Sequence, residues 1–122
     1  MSTQEVANKW AEYCRTGQFD KAVEELYDEQ CVSHEMAGAQ GLPEKVEGLE
    51  AIKAKGEQWN QMVEEFHGME IGGPLVASNH FTASIKMDVT MKGQPRISMD
   101  EVAVFRVKDG KIVDEQFFYP VG

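Results

Sequence analysis

The chain has 122 residues, of which 42% are hydrophobic and 27% charged, a composition typical of one globular domain over residues 1–122. Its formal net charge of −9 argues against anionic partners such as nucleic acid or an acidic membrane surface. No apolar run approaches the length of a transmembrane helix, and the amino terminus does not resemble a signal peptide. We therefore expect a cytoplasmic protein.

Helical periodicity dominates the first half of the chain. One helix is predicted within residues 3–17, a second over residues 19–30, and a third from Gly48 to about Glu65. Between the last two, "CVSHEM" predicts a short strand and "AGAQGLPEKVEG" a glycine-rich loop. The apolar residues at helical spacing are Val6, Trp10, Tyr13 and Cys14, then Phe19, Val23, Leu26 and Tyr27, then Leu49, Ile52, Trp59, Met62, Val63 and Phe66.

The second half of the chain predicts β structure. Residues 66–73 form one strand, which Gly72, Gly73 and Pro74 should interrupt, and residues 78–92 alternate regularly between apolar and polar. "KGQP" and "KDGK" predict tight turns before two further strands, so the sheet should be antiparallel. The class is α+β, with helices first and then a curved meander that wraps them.

One strand carries an unexpected acid. In "ISMDEVAVFRV", residues 97–107, the odd positions form an apolar face in which Glu101 is the single charged side chain. An acid in the middle of such a face indicates that the face lines something other than a sealed core.

The order of these elements resembles the nuclear transport factor 2-like superfamily, and within it the SnoaL-like branch, whose relatives include ketosteroid isomerases and polyketide cyclases. The most specific matches are Gly48 and Ile52 at the start of the third helix, and the "VKDGKIV" hairpin followed by an aromatic strand. The resemblance implies a cystatin-like roll, in which a cone-shaped sheet closes with the helices around a pocket. The odd positions of the strand that contains Glu101 would then point into that pocket.

The resemblance to ketosteroid isomerase extends to only one of three functional positions. The acid that serves as the isomerase's general base falls on Glu35, whereas its two hydrogen-bond donors to the oxyanion fall on Trp10 and Ala103. Trp10 has no acidic hydroxyl and Ala103 has nothing to donate. The chain is therefore not expected to be a ketosteroid isomerase.

The last strand offers a further acid. By the parity that the resemblance implies, Glu115, Phe117 and Tyr119 point inward. A two-residue turn at Asp109-Gly110 would place Glu101 near Phe118 and Glu115 near Val104, so the two acids would be separated by roughly 13 Å along the strands.

We therefore predict Glu35 and Glu101 as catalytic acids, because burial in an apolar cavity raises the pKa of a carboxyl towards neutrality. The predicted ligand-binding residues are Trp10, Lys55, Trp59, His67, Met87, Met99, Glu115, Phe117 and Tyr119. Simpler alternatives remain open: Glu101 could pair with Lys55 or reach solvent, His67 could lie at the rim, and the methionines and Tyr119 could fill the core. No metal-ligand spacing or cofactor-binding motif is present, so neither a metal nor a cofactor is expected.

Two functions of different classes fit these residues. The first is acid–base chemistry, such as isomerisation, cyclisation or hydration, on a small hydrophobic molecule that is cyclic or contains a carbonyl. The second is a non-catalytic module that binds a small ligand or assembles as a dimer. Regulatory protein–protein contact is a weaker third. A homodimer is expected in either case, because the convex sheet face should carry Val102, Val104 and Phe118.

Overall fold

The computed structural model describes residues 1–38 and 43–120. Three helices pack against one curved six-stranded sheet with the strand order β2-β1-β6-β5-β4-β3. The helices are α1 (Thr3–Arg15), α2 (Phe19–Leu26) and α3 (Leu49–Met62). The strands are β1 (Tyr27–His34), β2 (Lys45–Glu47), β3 (Val63–Ala77), β4 (His80–Met91), β5 (Arg96–Lys108) and β6 (Lys111–Phe118). The predicted α+β class, with helices before a curved meander, is confirmed.

The first helix begins at a capping box. The Ser2 side chain accepts from the Glu5 backbone N–H, and the Glu5 carboxylate accepts from the Ser2 backbone N–H. Its apolar stripe, which includes Trp10, faces the sheet and is fully buried. Trp10 lies with its ring centroid 4.7 Å from that of Phe105 and 6.0 Å from that of Phe81. These three aromatic residues fill the space between α1 and the sheet.

Three element boundaries differ from the predictions. The second helix ends at Leu26 rather than near residue 30, and the third ends at Met62 rather than near Glu65. In both cases the next residue already has extended backbone angles and begins a strand. Short apolar repeats fit a helix and a strand equally well, so pairing with the sheet decides the boundary. Residues 45–47 of the predicted loop form β2, which pairs with β1.

Two features of the sheet also differ. The fully antiparallel prediction is wrong for β1, which runs parallel to β6. The predicted interruption at Gly72 to Pro74 is wrong as well, since β3 continues to Ala77 with a register shift between Gly72 and Leu75. Tight turns specify only strands that are neighbours in the chain, so the β1–β6 pairing leaves no local signal.

A bulge in β6 changes the predicted register of the final hairpin. Lys108 opposes Lys111 as expected, but the register then shifts by one residue, so that Phe105 faces Glu115 and Val102 faces Phe118. The predicted neighbours of Glu101 and Glu115 were therefore wrong by one residue. The shift brings the odd positions of β5 and β6 onto one face, which is why Glu115 and Phe117 are buried. In the observed register Glu115 lies opposite Phe105, four residues along β5 from Glu101, so the two acids are still well separated along the strands.

Among the described residues, no helix combines the length and apolar composition needed to cross a membrane.

Candidate functional site

The odd residues in the second half of β1, Cys31 and Ser33, turn towards the interior of the protein, and Glu35 follows the strand with the same parity. Ser33 is 1% exposed, and the side chain of Glu35 is 9% exposed. The parallel pairing with β6 sets Ser33 directly beside Glu115, which is also 1% exposed. The register of this one pairing therefore places two polar side chains together inside the protein.

Both carboxylate oxygens of Glu115 accept hydrogen bonds. The Tyr27 hydroxyl donates to Oε2, and the Ser33 hydroxyl donates to Oε1 at 2.8 Å. Burial raises the pKa of Glu115, while the Lys55 ammonium and these two hydrogen bonds oppose the rise. Glu115 is thus a fully paired acid inside the core.

Lys55 reaches the same cluster from α3. Its Nζ donates to Ser33 Oγ at 2.5 Å, lies 3.9 Å from Glu35 Oε1, and lies 5.2 Å from the centroid of the Phe117 ring. The side chain of Lys55 is only 10% exposed. It follows the buried Ile52 by three residues, so the inward face of α3 delivers both side chains.

Glu101 lies on β5 at the partly exposed side of this cluster. Burial raises the pKa of its carboxyl to about 7; the Glu35 charge adds to the rise and the Lys55 ammonium opposes it. Within residues 1–38 and 43–120, Glu101 makes no side-chain hydrogen bond or ion pair. Glu101 is thus a carboxyl whose pKa is near neutral pH and which can still accept or donate hydrogen bonds.

Glu35 and Tyr119 lie next to each other. Burial raises the pKa of Glu35, which the Lys55 ammonium and the nearby Tyr119 hydroxyl oppose. Burial also raises the pKa of Tyr119 to about 12, with the Glu35 charge as the next cause. However, Glu35 Oε2 and the Tyr119 hydroxyl are both buried without a hydrogen bond of normal geometry in the described chain. The two groups are close, and a small side-chain movement would join them.

Of the other predicted ligand-binding residues, some lie near this cluster and some lie elsewhere in the protein. Met87 and Met99 are cross-strand partners, next to the pair formed by Ile85 and Glu101, so they lie along the same face. Trp59 is a partly exposed residue of α3.

Trp10 and His67 lie outside the acidic cluster. Trp10 belongs to the aromatic core, and its Nε1 has no hydrogen-bond partner in the described part of the chain. His67 contacts Thr90 Oγ1 at 2.8 Å, and Thr90 pairs with Arg96 at the far end of the sheet.

Two open depressions lie along β3 and β4 instead of at the acidic cluster. Their volumes are about 480 and 390 Å³, and Met69, Glu70 and Lys86 contribute to both. Neither is lined by Glu35, Lys55 or Glu101. We place the candidate site at the acidic cluster, because convergent groups with perturbed pKa values indicate chemistry more directly than an open groove does.

The sequence predictions missed Tyr27 and Ser33, which hold the cluster together. Ser33 had a usable signal, since it lies two residues before Glu35 and shares its face of the strand. Tyr27 had none, because its contact with Glu115 spans 88 residues. Cys14 and Cys31 are free buried thiols.

A curved sheet closed by helices, with acids on its concave face, defines this protein as a nuclear transport factor 2-like fold. A family profile for the SnoaL-like domain matches residues 1–119, so the chain belongs to the SnoaL-like domain family. The resemblance drawn from the sequence is thereby confirmed. The comparison with curated proteins finds no match.

Solved structures support the same assignment. A Mesorhizobium loti protein described as a candidate SnoaL-like polyketide cyclase is 35% identical, with a TM-score of 0.88 over 98% of this chain and 100% of that chain. A Catenulispora acidiphila protein of ketosteroid isomerase-like fold, solved with trimethylamine, is 21% identical, with a TM-score of 0.74 over 94% and 85% of the two chains. A Xanthomonas campestris protein of cystatin-like fold is 14% identical, with a TM-score of 0.83 over 98% and 91%. The latter two show the fold alone.

Proposed function

We propose that the protein catalyses proton transfer at a carbon next to a carbonyl group in a small apolar molecule, with Glu101 as the general base. The observation that carries this proposal is a partly buried carboxyl whose pKa is about 7 and which has no partner among the described residues. The C–H bond breaks, the proton passes to the Glu101 carboxylate, and the electron pair moves to the carbonyl oxygen as an enolate. Return of the proton to another carbon gives isomerisation, and attack of the enolate carbon on a second carbonyl gives cyclisation.

Glu101 is better suited to this role than the two other acids of the cluster. Glu115 has both oxygens occupied by hydrogen bonds. Glu35 is paired with Lys55, and its second oxygen is sealed from solvent. The charge of Glu35 instead helps to hold the pKa of Glu101 near the pH at which a general base is most effective.

The test is carbon-bound hydrogen exchange in deuterated buffer, followed by proton NMR with cyclohexanone, 2-tetralone and a β,γ-unsaturated cyclic ketone. We expect the protein to accelerate exchange for at least one of them, and Glu101→Gln to lower the rate by about 100-fold or more. The matched control is Glu57→Gln, an exposed acid on α3, which should retain the full rate. Exchange no faster than in buffer alone, or full activity in Glu101→Gln, would refute the proposal.

The same assay has a pH signature. Since a base must be unprotonated to accept a proton, the rate should rise through the pKa of Glu101, about 7, and level off above it. A rate independent of pH across this range would assign the chemistry to another group.

A second candidate function is ligand binding without turnover. It is favoured by the two positions that match the isomerase's oxyanion donors, since the Nε1–H of Trp10 is fully buried in the aromatic core and Ala103 has no polar side-chain atom. Native mass spectrometry of the purified protein distinguishes the two functions. A copurified molecule that stays chemically unchanged, together with no exchange activity, would support binding alone.

We also propose that the protein forms a homodimer through the convex sheet face. Val102 and Phe118 are cross-strand partners on that face and are 45% and 42% exposed. Light scattering should give twice the monomer mass of 13.7 kDa. The double variant Val102→Lys and Phe118→Lys should give the monomer, whereas an unchanged mass would place the contact elsewhere.

A further inference from the structure

The geometry points to Lys55 as the group that binds the negatively charged oxygen of the ligand, so that the site takes small apolar molecules bearing an enolate or carboxylate oxygen. This inference rests on the proposed function, in which charge develops on such an oxygen. It assigns to Lys55 the role of oxyanion donor.

The first observation is an incomplete set of hydrogen bonds at Nζ. A lysine ammonium has three N–H donors. Within the described residues, Nζ makes one hydrogen bond, to Ser33 Oγ at 2.5 Å. Glu35 Oε1, at 3.9 Å, is an ion-pair partner beyond hydrogen-bonding distance. Because the side chain is only 10% exposed, two N–H donors lie in a largely buried place without an acceptor from the described chain.

The second observation is that neighbouring side chains hold the Lys55 ammonium in one position. Ser33 Oγ accepts from Lys55 and donates to Glu115, and the other oxygen of Glu115 accepts from Tyr27. The Phe117 ring lies 5.2 Å from Nζ. The chain Tyr27–Glu115–Ser33 therefore fixes the position of the ammonium before any ligand arrives. A donor fixed in advance is what stabilisation of a developing oxyanion requires.

The third observation is that the two positions matching the isomerase's oxyanion donors offer no donor to the acidic cluster. Trp10 is enclosed by Phe81 and Phe105, and Ala103 carries no polar side-chain atom. Lys55 reaches the acids from α3, a different element, and the charge of Lys55 already acts on both Glu35 and Glu101. The protein thus places base and oxyanion donor on facing elements.

The protonation of Glu101 should control the affinity for an anion. A protonated Glu101 donates a hydrogen bond to an anionic oxygen, whereas the ionised form repels it. The charged and titratable groups that act on Glu101 from the neighbouring elements are Glu35 after β1, Lys55 on α3 and Tyr119 after β6. Of these, only Lys55 attracts an anion.

The experiment is an NMR titration with cyclohexanecarboxylate, which mimics an enolate oxygen on a small ring and needs no turnover. We expect amide shifts near Ser33, Lys55 and Phe117, and affinity up to about tenfold higher at pH 6 than at pH 8, since affinity falls by up to tenfold for each pH unit above the pKa of a required proton. Glu101→Gln should remove most of this pH dependence.

Lys55→Met should weaken binding by about tenfold or more, because a charge-assisted hydrogen bond is lost. Lys53→Met is the matched control, since Lys53 lies on the same helix, is 39% exposed and has ion-pair distances of 3.9 Å only. The amide spectrum checks that each variant is folded, and the pH comparison in the unmodified protein requires no variant.

Equal affinity in Lys55→Met, or no shifts near Lys55 in the unmodified protein, would overturn the inference. These outcomes are separate from failure of the proposed function. Exchange activity without carboxylate binding would leave Glu101 as the base and remove Lys55 as the donor. Carboxylate binding without exchange would retain Lys55 and favour the binding module.

Discussion

The inner face of β5 has two contrasting ends. At one end Phe105 is fully buried and stacks on Phe81 with ring centroids 4.5 Å apart. At the other end Glu101 remains partly exposed, without a hydrogen bond in the described chain. Both residues follow the same alternation, so the difference comes from the covering element, which is α1 over Phe105 and α3 with β1 near Glu101. Alternation predicts which way a side chain faces, and the neighbouring element decides whether that place is sealed.

A second contrast separates the two acids. Glu115 is as buried as Phe105, but both of its oxygens accept hydrogen bonds. Glu101 is less buried, and no side chain among the described residues donates a hydrogen bond to it. The paired acid positions other groups, whereas the unpaired acid is available to a substrate.

The largest effect on stability should come from a substitution at the sealed end of the β5 face, where Phe105 lies. Phe105→Ala should lower the free energy of unfolding by about 3–5 kcal/mol, because it opens a cavity in the aromatic core. The matched control Phe66→Ala, at a residue 49% exposed, should cost less than about 1 kcal/mol. Urea unfolding measures both. Similar values for the two variants would mean that the aromatic core is not well packed.

The Glu101 carboxyl, at the open end of this face, should make the free energy of unfolding depend on pH. The pKa of Glu101 rises from 4.5 to about 7 on folding, so its stabilising contribution is complete below 4.5 and is lost as the pH increases through 7. This amounts to as much as about 3 kcal/mol, and the raised pKa values of Glu35 and Glu115 act in the same direction. Unfolding should therefore be easier at about pH 8 than at about pH 5.

Glu101→Gln should make that decline shallower, and Glu57→Gln should leave it unchanged. A decline of equal slope in Glu101→Gln would show that the Glu101 carboxyl ionises normally. Carbon-13 NMR titration of the glutamate carboxyls would report the same pKa independently.

The smallest effect should come from removing one hydrogen bond to the paired acid. Tyr27→Phe should destabilise the protein by about 1–3 kcal/mol, because it leaves a buried carboxylate oxygen of Glu115 without its donor. Tyr13→Phe is the matched control: its hydroxyl donates to Glu25 at the surface, where water can replace it. Tyr13→Phe should therefore cost less. Equal losses of stability in the two variants would contradict the view that burial makes the Tyr27–Glu115 hydrogen bond more important than the exposed one.

Part of the candidate site could be predicted from local pattern alone. Glu101 was found because it interrupts an apolar alternation, and Glu35 because a family position falls on it. Glu115 was assigned the correct face while its register was wrong by one residue, since the bulge in β6 leaves no mark in an ordinary hairpin sequence. Tyr27 was missed because its partner, Glu115, is 88 residues away in the chain, whereas Ser33 could have been recognised because it shares the face of Glu35.

The sequence by itself determined the class of fold, the approximate positions of most helices and strands, and the inward face of β5, because these follow from periodicity and turn residues that act over a few positions. The tertiary structure alone decided the parallel β1–β6 pairing, the bulge in β6 and the contact between Lys55 and Ser33. These three features depend on burial and hydrogen bonding between distant segments, whose energies appear only when the whole sheet is assembled.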